Sequence, residues 1–213
     1  YKLSILISLF IQAFRYAAEP FFFSHAREKN SRDIYADVMK YFVIVCAGIF
    51  LFVMLYLNQL QYLIGKPYRV GLPVVPILLM ANVSLGIYVN LSIWYKLTDR
   101  TQLGAVVSLF GALITVVLNI AFIPTYGYMA SAWATLICYA SMAIISYVLG
   151  QKYYPIHYNL KSILGYIFFA LLLWVAHSWL MQNLPAQCAA YWWVFSTLFM
   201  LLFAVVVWLL DGQ

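Results

Sequence analysis

The stretch 3-LSILISLFIQAFRYAAEPFFFS-24 decides how the rest of the chain is interpreted. It is apolar and long enough to cross a bilayer as one helix, yet it contains Arg15 and Glu19. A charge at the centre of a membrane helix costs on the order of 2.5–3.5 kcal/mol on insertion scales. Helical spacing places Arg15 and Glu19 on one face, with Gln12 one turn earlier. The pattern favours a functional site, and the alternative is an ion pair that only joins helices.

Pro20 follows Glu19 directly. Proline has no backbone donor and clashes with the carbonyl one turn earlier, here that of Tyr16, so we expect the helix to break beside its charges. Broken helices with ionisable groups are typical of transporter sites. Arg15 would lie about 18 Å from one end of the segment and about 15 Å from His25. Its side chain therefore requires Glu19, another helix or a water-filled cavity.

The composition identifies an integral membrane protein. Of 213 residues, 66% are hydrophobic and 8% are charged, whereas soluble domains have about 45–50% and about 25%. The net charge of +6 is typical of basic cytoplasmic loops and does not indicate nucleic-acid binding. The three cysteines, Cys46, Cys138 and Cys188, predict neither a disulfide framework nor a metal site.

Apolar runs long enough to span a membrane predict an all-α polytopic membrane protein with seven transmembrane helices. The predicted helices are 3–24, 39–57, 74–95, 103–123, 128–149, 162–182 and 190–210. The charged connection 25–37 is predicted to lie in water, with Asp33 and Asp37 solvated. Pro124–Gly127 predicts a tight turn. No connection is long enough for a soluble domain.

The distribution of Lys and Arg predicts the orientation. Connections on one side carry eight positive charges and those on the other carry three, so the first side is predicted to be cytoplasmic. Seven crossings then place Gln213 in the cytoplasm. The chain begins at Tyr1 without methionine, and we expect an N-terminal part to precede it.

Three further helices have polar or small faces. Asn82, Gly86 and Asn90 recur every four residues, so the two amides either line a polar cavity or pack. Ala130, Ala134 and Cys138 follow the same spacing, which favours close helix packing in lipid. Similar spacing on the preceding helix joins Gly104, Ser108, Gly111, Ala112, Thr115 and Asn119. Leu136 is expected to face lipid, and the lone His177 is interpreted as structural.

The sequence contains no GxGxxG, Walker A, HExxH or CxxC motif. We therefore expect neither an enzyme nor a cofactor. Any energy source would be an ion gradient, a concentration gradient or a partner protein.

Two stretches carry a resemblance to a known family. The first is Ala17-Ala18-Glu19-Pro20-Phe21-Phe22-Phe23, followed by a charged connection and YADVMKYF at 35–42. The second is Asn119 followed by IPTYGYMASAWAT at 123–135. The chain resembles the bacterial oligosaccharide flippases, the polysaccharide-biosynthesis proteins of the MATE-like superfamily.

The resemblance implies a design of fourteen helices with two six-helix lobes. Residues 1–150 would form five helices of the second lobe, and 151–213 would form the two additional C-terminal helices. Seven helices would then precede this chain, an odd number, which agrees with the parity from the charge count.

The resemblance also implies a function. Such proteins move lipid-linked oligosaccharide across the bacterial inner membrane by alternating access. Arg15 would bind phosphate oxygens. Glu19 would neutralise Arg15 in the empty cavity or bind a coupling cation or proton. Gln12, Asn82 and Asn90 would bind sugar hydroxyls. The expected partners are the lipid-linked oligosaccharide, membrane lipid and glycan-assembly membrane proteins.

Three alternatives stay open at this point. A cation-coupled multidrug exporter of the same superfamily would need an acidic, aromatic cavity, which Arg15 disfavours. A membrane-embedded glycan polymerase or ligase would need a sizeable extracytoplasmic loop, and the short connections disfavour it. A scaffold or lipid-binding membrane protein is compatible with an Arg–Glu pair that has no transport role.

The charge distribution predicts that Asn30 and Gln102 face the cytoplasm, while Lys66 and Gln187 face outside. Single cysteines at these positions, in a protein whose native cysteines are replaced, would be labelled in intact cells with an impermeant thiol reagent. Residues 66 and 187 should react and residues 30 and 102 should not. Labelling of residue 102 from outside would contradict the orientation.

Overall fold

The structure, a computed structural model, describes residues 5–63, 65–183, 185 and 191–211, and within these ranges it contains helices and no strand. The α-helices are α1 (Ile5–His25), α2 (Ser31–Leu55), α3 (Leu57–Leu60), α4 (Val75–Leu91), α5 (Ile93–Leu97), α6 (Thr101–Tyr126), α7 (Tyr128–Tyr153), α8 (Leu160–Asn183) and α9 (Trp192–Asp211). Two 3₁₀ helices, Gln61–Leu63 and Lys66–Val74, join α3 to α4. Gln187 and Cys188 lie outside the described residues.

The fold class predicted from the sequence is confirmed: the chain is an all-α, multi-pass membrane protein. Six helical segments of the described chain are long and apolar enough to span a membrane. They are α2, the combined segment Arg69–Leu97, α6, α7, α8 and α9. The first predicted span forms a helix of 21 residues, α1, which is not among the six. Arg15 and Glu19 lower its hydropathy.

The charged connection between α1 and α2 is shorter than the sequence predicted. Helix α2 begins at Ser31, eight residues before the predicted start at 39. Ser31, Tyr35 and Met39 are buried at helical spacing, whereas Arg32 and Asp33 are exposed. An amphipathic turn can continue a membrane helix into water because only one face needs burial. Arg32, Asp33 and Asp37 therefore lie on α2, whereas Arg27, Glu28 and Lys29 stay in the connection.

The prediction that α1 breaks at Pro20 is wrong. The helix continues through Pro20 to His25. Proline is tolerated inside membrane helices when neighbouring groups hold the backbone in place. Here Ala18 and Phe22 are buried on either side, and the hydroxyl of Tyr35 donates to the carbonyl of Phe22 at 2.8 Å. These contacts hold the last turns of α1 in a helical path.

A single residue joins α6 to α7. Gly127 has φ 57° and ψ −139°, a conformation that side chains with a Cβ rarely adopt. The predicted turn at Pro124–Gly127 is therefore tighter than expected, because Pro124 belongs to the last turn of α6. The two helices form a hairpin.

Helix α2 lies at the centre of the bundle. Its buried side chains include Phe42, Val43, Phe50, Leu51 and Val53, and α1, α4, α8 and α9 all pack against it. Helix α7 packs between α4 and α6. By contrast, α6 is exposed along most of its apolar surface.

Small residues allow the closest helix contacts. A Cβ at Gly86 of α4 would lie 2.5 Å from Cζ of Phe42, and one at Gly111 of α6 would lie 2.5 Å from Sδ of Met142. The predicted small face of α7 is confirmed, since Ala130, Ala134 and Cys138 are all buried. Close approach through small residues is a common way to pack helices in lipid.

The two ends of the bundle differ in their number of Lys and Arg residues. Arg32, Lys96, Arg100 and Lys152 lie at one end, called here the basic end. There the guanidinium of Arg32 lies 5.0 Å from the Tyr154 ring and that of Arg100 lies 4.2 Å from the Tyr153 ring. At the opposite end, the hydroxyl of Tyr128 donates to the carbonyl of Val70.

Packing through α7 generates a stability prediction. Ala134 is 1% exposed, so Ala134→Leu should overpack the interface and destabilise the protein by about 1–3 kcal/mol. Ile144, 64% exposed on the same helix, is the matched control, and Ile144→Ala should change stability little. Leu136, which was expected to face lipid, is half-buried and is therefore not suitable as the control. The measurement is folded yield and thermal stability in detergent. Equal losses for both variants would contradict the packing.

Candidate functional site

A partly open cavity of about 240 Å³ lies between α1, α4, α5 and α6. Its polar lining residues are Arg15, Glu19, Tyr88, Asn90, Ser92, Lys96 and Ser108. Phe14, Ala18, Phe22, Val89 and Ile93 form its apolar walls. Three of the five candidate residues from the sequence, Arg15, Glu19 and Asn90, therefore meet in one place.

Arg15 occupies the middle of α1, about 15 Å from each end of the helix. Its side chain is exposed and lines the cavity. Among the described residues it takes part in no hydrogen bond or ion pair. The guanidinium therefore presents its donors to the cavity and its surroundings rather than to a protein partner.

Glu19 pairs with a different cation from the one expected. Its Oε1 accepts a hydrogen bond from Nζ of Lys96 at 2.5 Å, and the ion pair joins α1 to α5. The two side chains are 38% and 34% exposed, so the pair lies at the edge of the cavity. The prediction that Glu19 neutralises Arg15 is wrong for this conformation.

The geometry of a helix explains this choice of partner. Side chains lean towards the N-terminus of their helix, which carries the Arg15 guanidinium away from Glu19. An acid placed four residues after a base is also the weaker order for an ion pair along a helix. Lys96 belongs to a different helix, α5, so the spacing and side-chain direction within α1 do not keep it from Glu19.

Asn90 is 4% exposed and lines the cavity. Its Nδ2 donates to the carbonyl of Gly86 at 3.1 Å, whereas its Oδ1 is buried without a hydrogen-bond partner. The carbonyl of Gly86 can only accept, which fixes the orientation of the amide. An acceptor buried without a donor costs about 1–3 kcal/mol, so this atom is a notable feature of the site.

The structure does not bring the other two candidates to the cavity. Gln12 is exposed on α1 and does not line it. Asn82 is half-buried two turns from Asn90, and its Oδ1 accepts a hydrogen bond from Oγ of Ser8 at 3.2 Å. Asn82 thus joins α4 to α1. Of the two alternatives left open for the amides, cavity lining applies to Asn90 and packing applies to Asn82.

Sequence reasoning missed Lys96 as a site residue. It was counted only as a loop charge, because the third span was predicted to end at residue 95. Helix α5 continues past residue 95 to Leu97 and packs against α1, where Lys96 meets Glu19. Ser108 was noted only as a small residue on α6, yet its hydroxyl lies 3.2 Å from that of Tyr88 at the cavity wall.

A second polar cluster lies at the basic end, outside the cavity. Nζ of Lys40 donates to Oδ1 of Asp211 at 2.9 Å, and the hydroxyl of Tyr166 donates to Oδ2 of the same carboxylate. The cluster joins α2, α8 and α9. The side chain of Asp211 is 14% exposed and that of Lys40 is 19% exposed, so both are largely shielded from solvent. We interpret it as a structural connection.

The cavity is chemically suited to an anion. Two cations and one carboxylate line it, which leaves one positive charge without a partner. Arginine presents its donors in a planar fork that matches phosphate and carboxylate oxygens. The hydroxyls of Tyr88, Ser92 and Ser108 add neutral hydrogen-bonding groups beside this charge.

The ion pair predicts a specific coupling. Glu19→Gln and Lys96→Met should each lower the stability in detergent, and the double variant should lose less than the sum of the two. For a pair this exposed, the coupling free energy should be about 0.2–1 kcal/mol. As a control, Glu19→Gln combined with Arg15→Met should be additive. The opposite result would contradict the observed ion pair. If residues 15 and 19 were coupled and residues 19 and 96 were not, Glu19 would pair with Arg15.

Comparison with protein-family models, with curated proteins and with solved structures finds no match for this chain. The functional argument therefore depends on the cavity and on the membrane-type fold.

Proposed function

We propose that this chain belongs to a transporter that flips lipid-linked oligosaccharide across the bacterial inner membrane by alternating access. The observation that carries the proposal is one cavity in which Arg15, at the middle of α1, presents a positive charge without an ion-pair partner among the described residues. The family resemblance in 17–42 and 119–135 supports it. An ionisable residue at membrane depth is a functional candidate by default.

The physical task of such a transporter is to move phosphate and sugar past hydrocarbon while the lipid tail stays in the bilayer. In the proposed mechanism Arg15 binds the phosphate oxygens of the substrate. A charge-assisted hydrogen bond is stronger than a neutral one and is less screened at a partly dry site. The cavity is partly open, so a headgroup can enter while its lipid chain remains outside.

In the proposed transport cycle, the Glu19–Lys96 ion pair forms in one conformation and breaks in the other. The pair joins α1 to α5 at the cavity edge. If the two helices separate when the cavity opens to the other side of the membrane, each partner is released. Lys96 would then add a second positive charge for the substrate, and Glu19 would accept a coupling proton or cation.

The remaining parts of the proposal follow from the charge distribution and the resemblance. The basic end would face the cytoplasm, which places the C-terminus of the chain there. The helices from α1 to α7 would belong to the second lobe, and α8 and α9 would be the two additional helices. Other membrane proteins of glycan assembly would supply the substrate.

The test is transport of fluorescently labelled lipid-linked oligosaccharide in proteoliposomes made with the protein that contains this chain. Arg15→Ala should lower transport by roughly ten- to a hundredfold, the loss expected for a charged hydrogen bond. Arg15→Lys should retain part of the activity, because the charge survives and the bidentate fork does not.

The matched control is Arg27→Ala, which removes an exposed arginine beyond the end of α1 and should leave transport unchanged. All variants should remain folded and monodisperse, since Arg15 bonds to no described residue. Full transport by Arg15→Ala would contradict the proposal. Transport of lipophilic cations in place of the oligosaccharide would instead identify a multidrug exporter.

A further inference from the structure

Two residues that line the cavity have hydrogen-bonding atoms without a partner among the described residues. Arg15 has N–H donors that bond to no described residue, and Asn90 has a buried Oδ1 that receives no hydrogen bond. Both residues line the same space of about 240 Å³. A ligand that satisfies both must carry an acceptor, best an anionic one, together with an O–H or N–H donor.

Other buried atoms without partners do not share this arrangement. The Oδ1 of Asn119 and the Oε1 of Gln59 are also without a hydrogen-bond partner, but neither residue lines the cavity. A bare phosphate diester would satisfy Arg15 and leave Asn90 unpaired, because it has no hydrogen to donate. A simple sugar would satisfy Asn90 and leave the guanidinium without an anion.

We propose that Asn90 determines which phosphate esters the cavity accepts: its Oδ1 binds a hydroxyl carried by the group esterified to the phosphate that Arg15 binds. This inference rests on the proposed function and specifies the chemistry of its substrate. The ligand class is a phosphate ester of a polyol, of which a sugar phosphate is one member. The Gly86 carbonyl accepts the hydrogen bond from Nδ2, so the atom that Asn90 can offer to a ligand is the acceptor Oδ1.

The experiment measures binding to the purified protein in nanodiscs of phosphatidylcholine, which supplies no anionic lipid. The probes are glucose 1-phosphate, methyl phosphate at a pH where it has lost both protons, and methyl glucoside. Wild-type protein should bind glucose 1-phosphate about tenfold more tightly than methyl phosphate, the difference expected for one hydrogen bond. It should bind methyl glucoside more weakly than glucose 1-phosphate.

Asn90→Leu should abolish the preference between the two phosphates, while Arg15→Ala should weaken both of them. Asn119→Leu is the matched control, because Asn119 also has an unpaired Oδ1 but lies outside the cavity, and it should preserve the preference. Equal binding of both phosphates to the wild-type protein would overturn the inference without any variant. So would a failure to bind either phosphate, or an equal loss of both in Asn90→Leu.

The result is separable from the test of transport. Suppose that the preference for glucose 1-phosphate depends on Asn90 and that Arg15→Ala transports oligosaccharide normally. The first result would support this inference, and the second would contradict the proposed function. Loss of transport in Arg15→Ala without any preference between the phosphates would do the reverse.

One further arm distinguishes the two sources of such a ligand. Phosphatidylglycerol has the same pairing of phosphate with hydroxyl as a sugar phosphate. If adding it to the nanodisc displaces glucose 1-phosphate, the ligand chemistry stands and a lipid headgroup supplies it. If it does not, the ligand chemistry stands and the sugar phosphate of the glycan substrate supplies it.

Discussion

The positive charge in the middle of α1 is the constraint on which the rest of the site depends. A guanidinium cannot lose its charge in a protein, so it has to be solvated by water, by a ligand or by a carboxylate. The neighbouring helices leave a cavity beside Arg15 instead of closing on it. The only carboxylate within one turn, that of Glu19, is held by Lys96. The bundle therefore keeps a positive charge available beside an open cavity.

The helices could be predicted from the sequence because hydropathy over about twenty residues reports directly on the membrane. The fold class and most helix bounds agree to within a few residues. The early start of α2 at Ser31 was missed because charged residues dominate a hydropathy average even where one face is apolar. The predicted helix break at Pro20 was wrong because the prediction considered the proline alone. In the structure, the hydroxyl of Tyr35 on α2 bonds to the backbone of α1 at Phe22.

The candidate site could be predicted only in part. Arg15, Glu19 and Asn90 were found because charge and amides are rare in membrane helices. The partner of Glu19 could not be found, because Lys96 lies 77 residues away and only the packing of α5 against α1 brings the two together. Asn82 and Asn90 have the same spacing and chemistry in the sequence. Only the position of Ser8 separates the amide that packs from the amide that lines the cavity.

The long-range contacts of α2 also determine when this helix can complete its packing during synthesis. Lys40 meets Asp211 across 171 residues, and near the other end of the same helix the carbonyl of Leu55 receives the hydroxyl of Ser196 across 141. A ribosome adds about 5–20 residues per second, so the central helix waits on the order of ten to thirty seconds for its last neighbour. During that interval water can solvate Lys40, whose charge the finished bundle later shields. The helix at the centre of the fold is thus among the last to be completed.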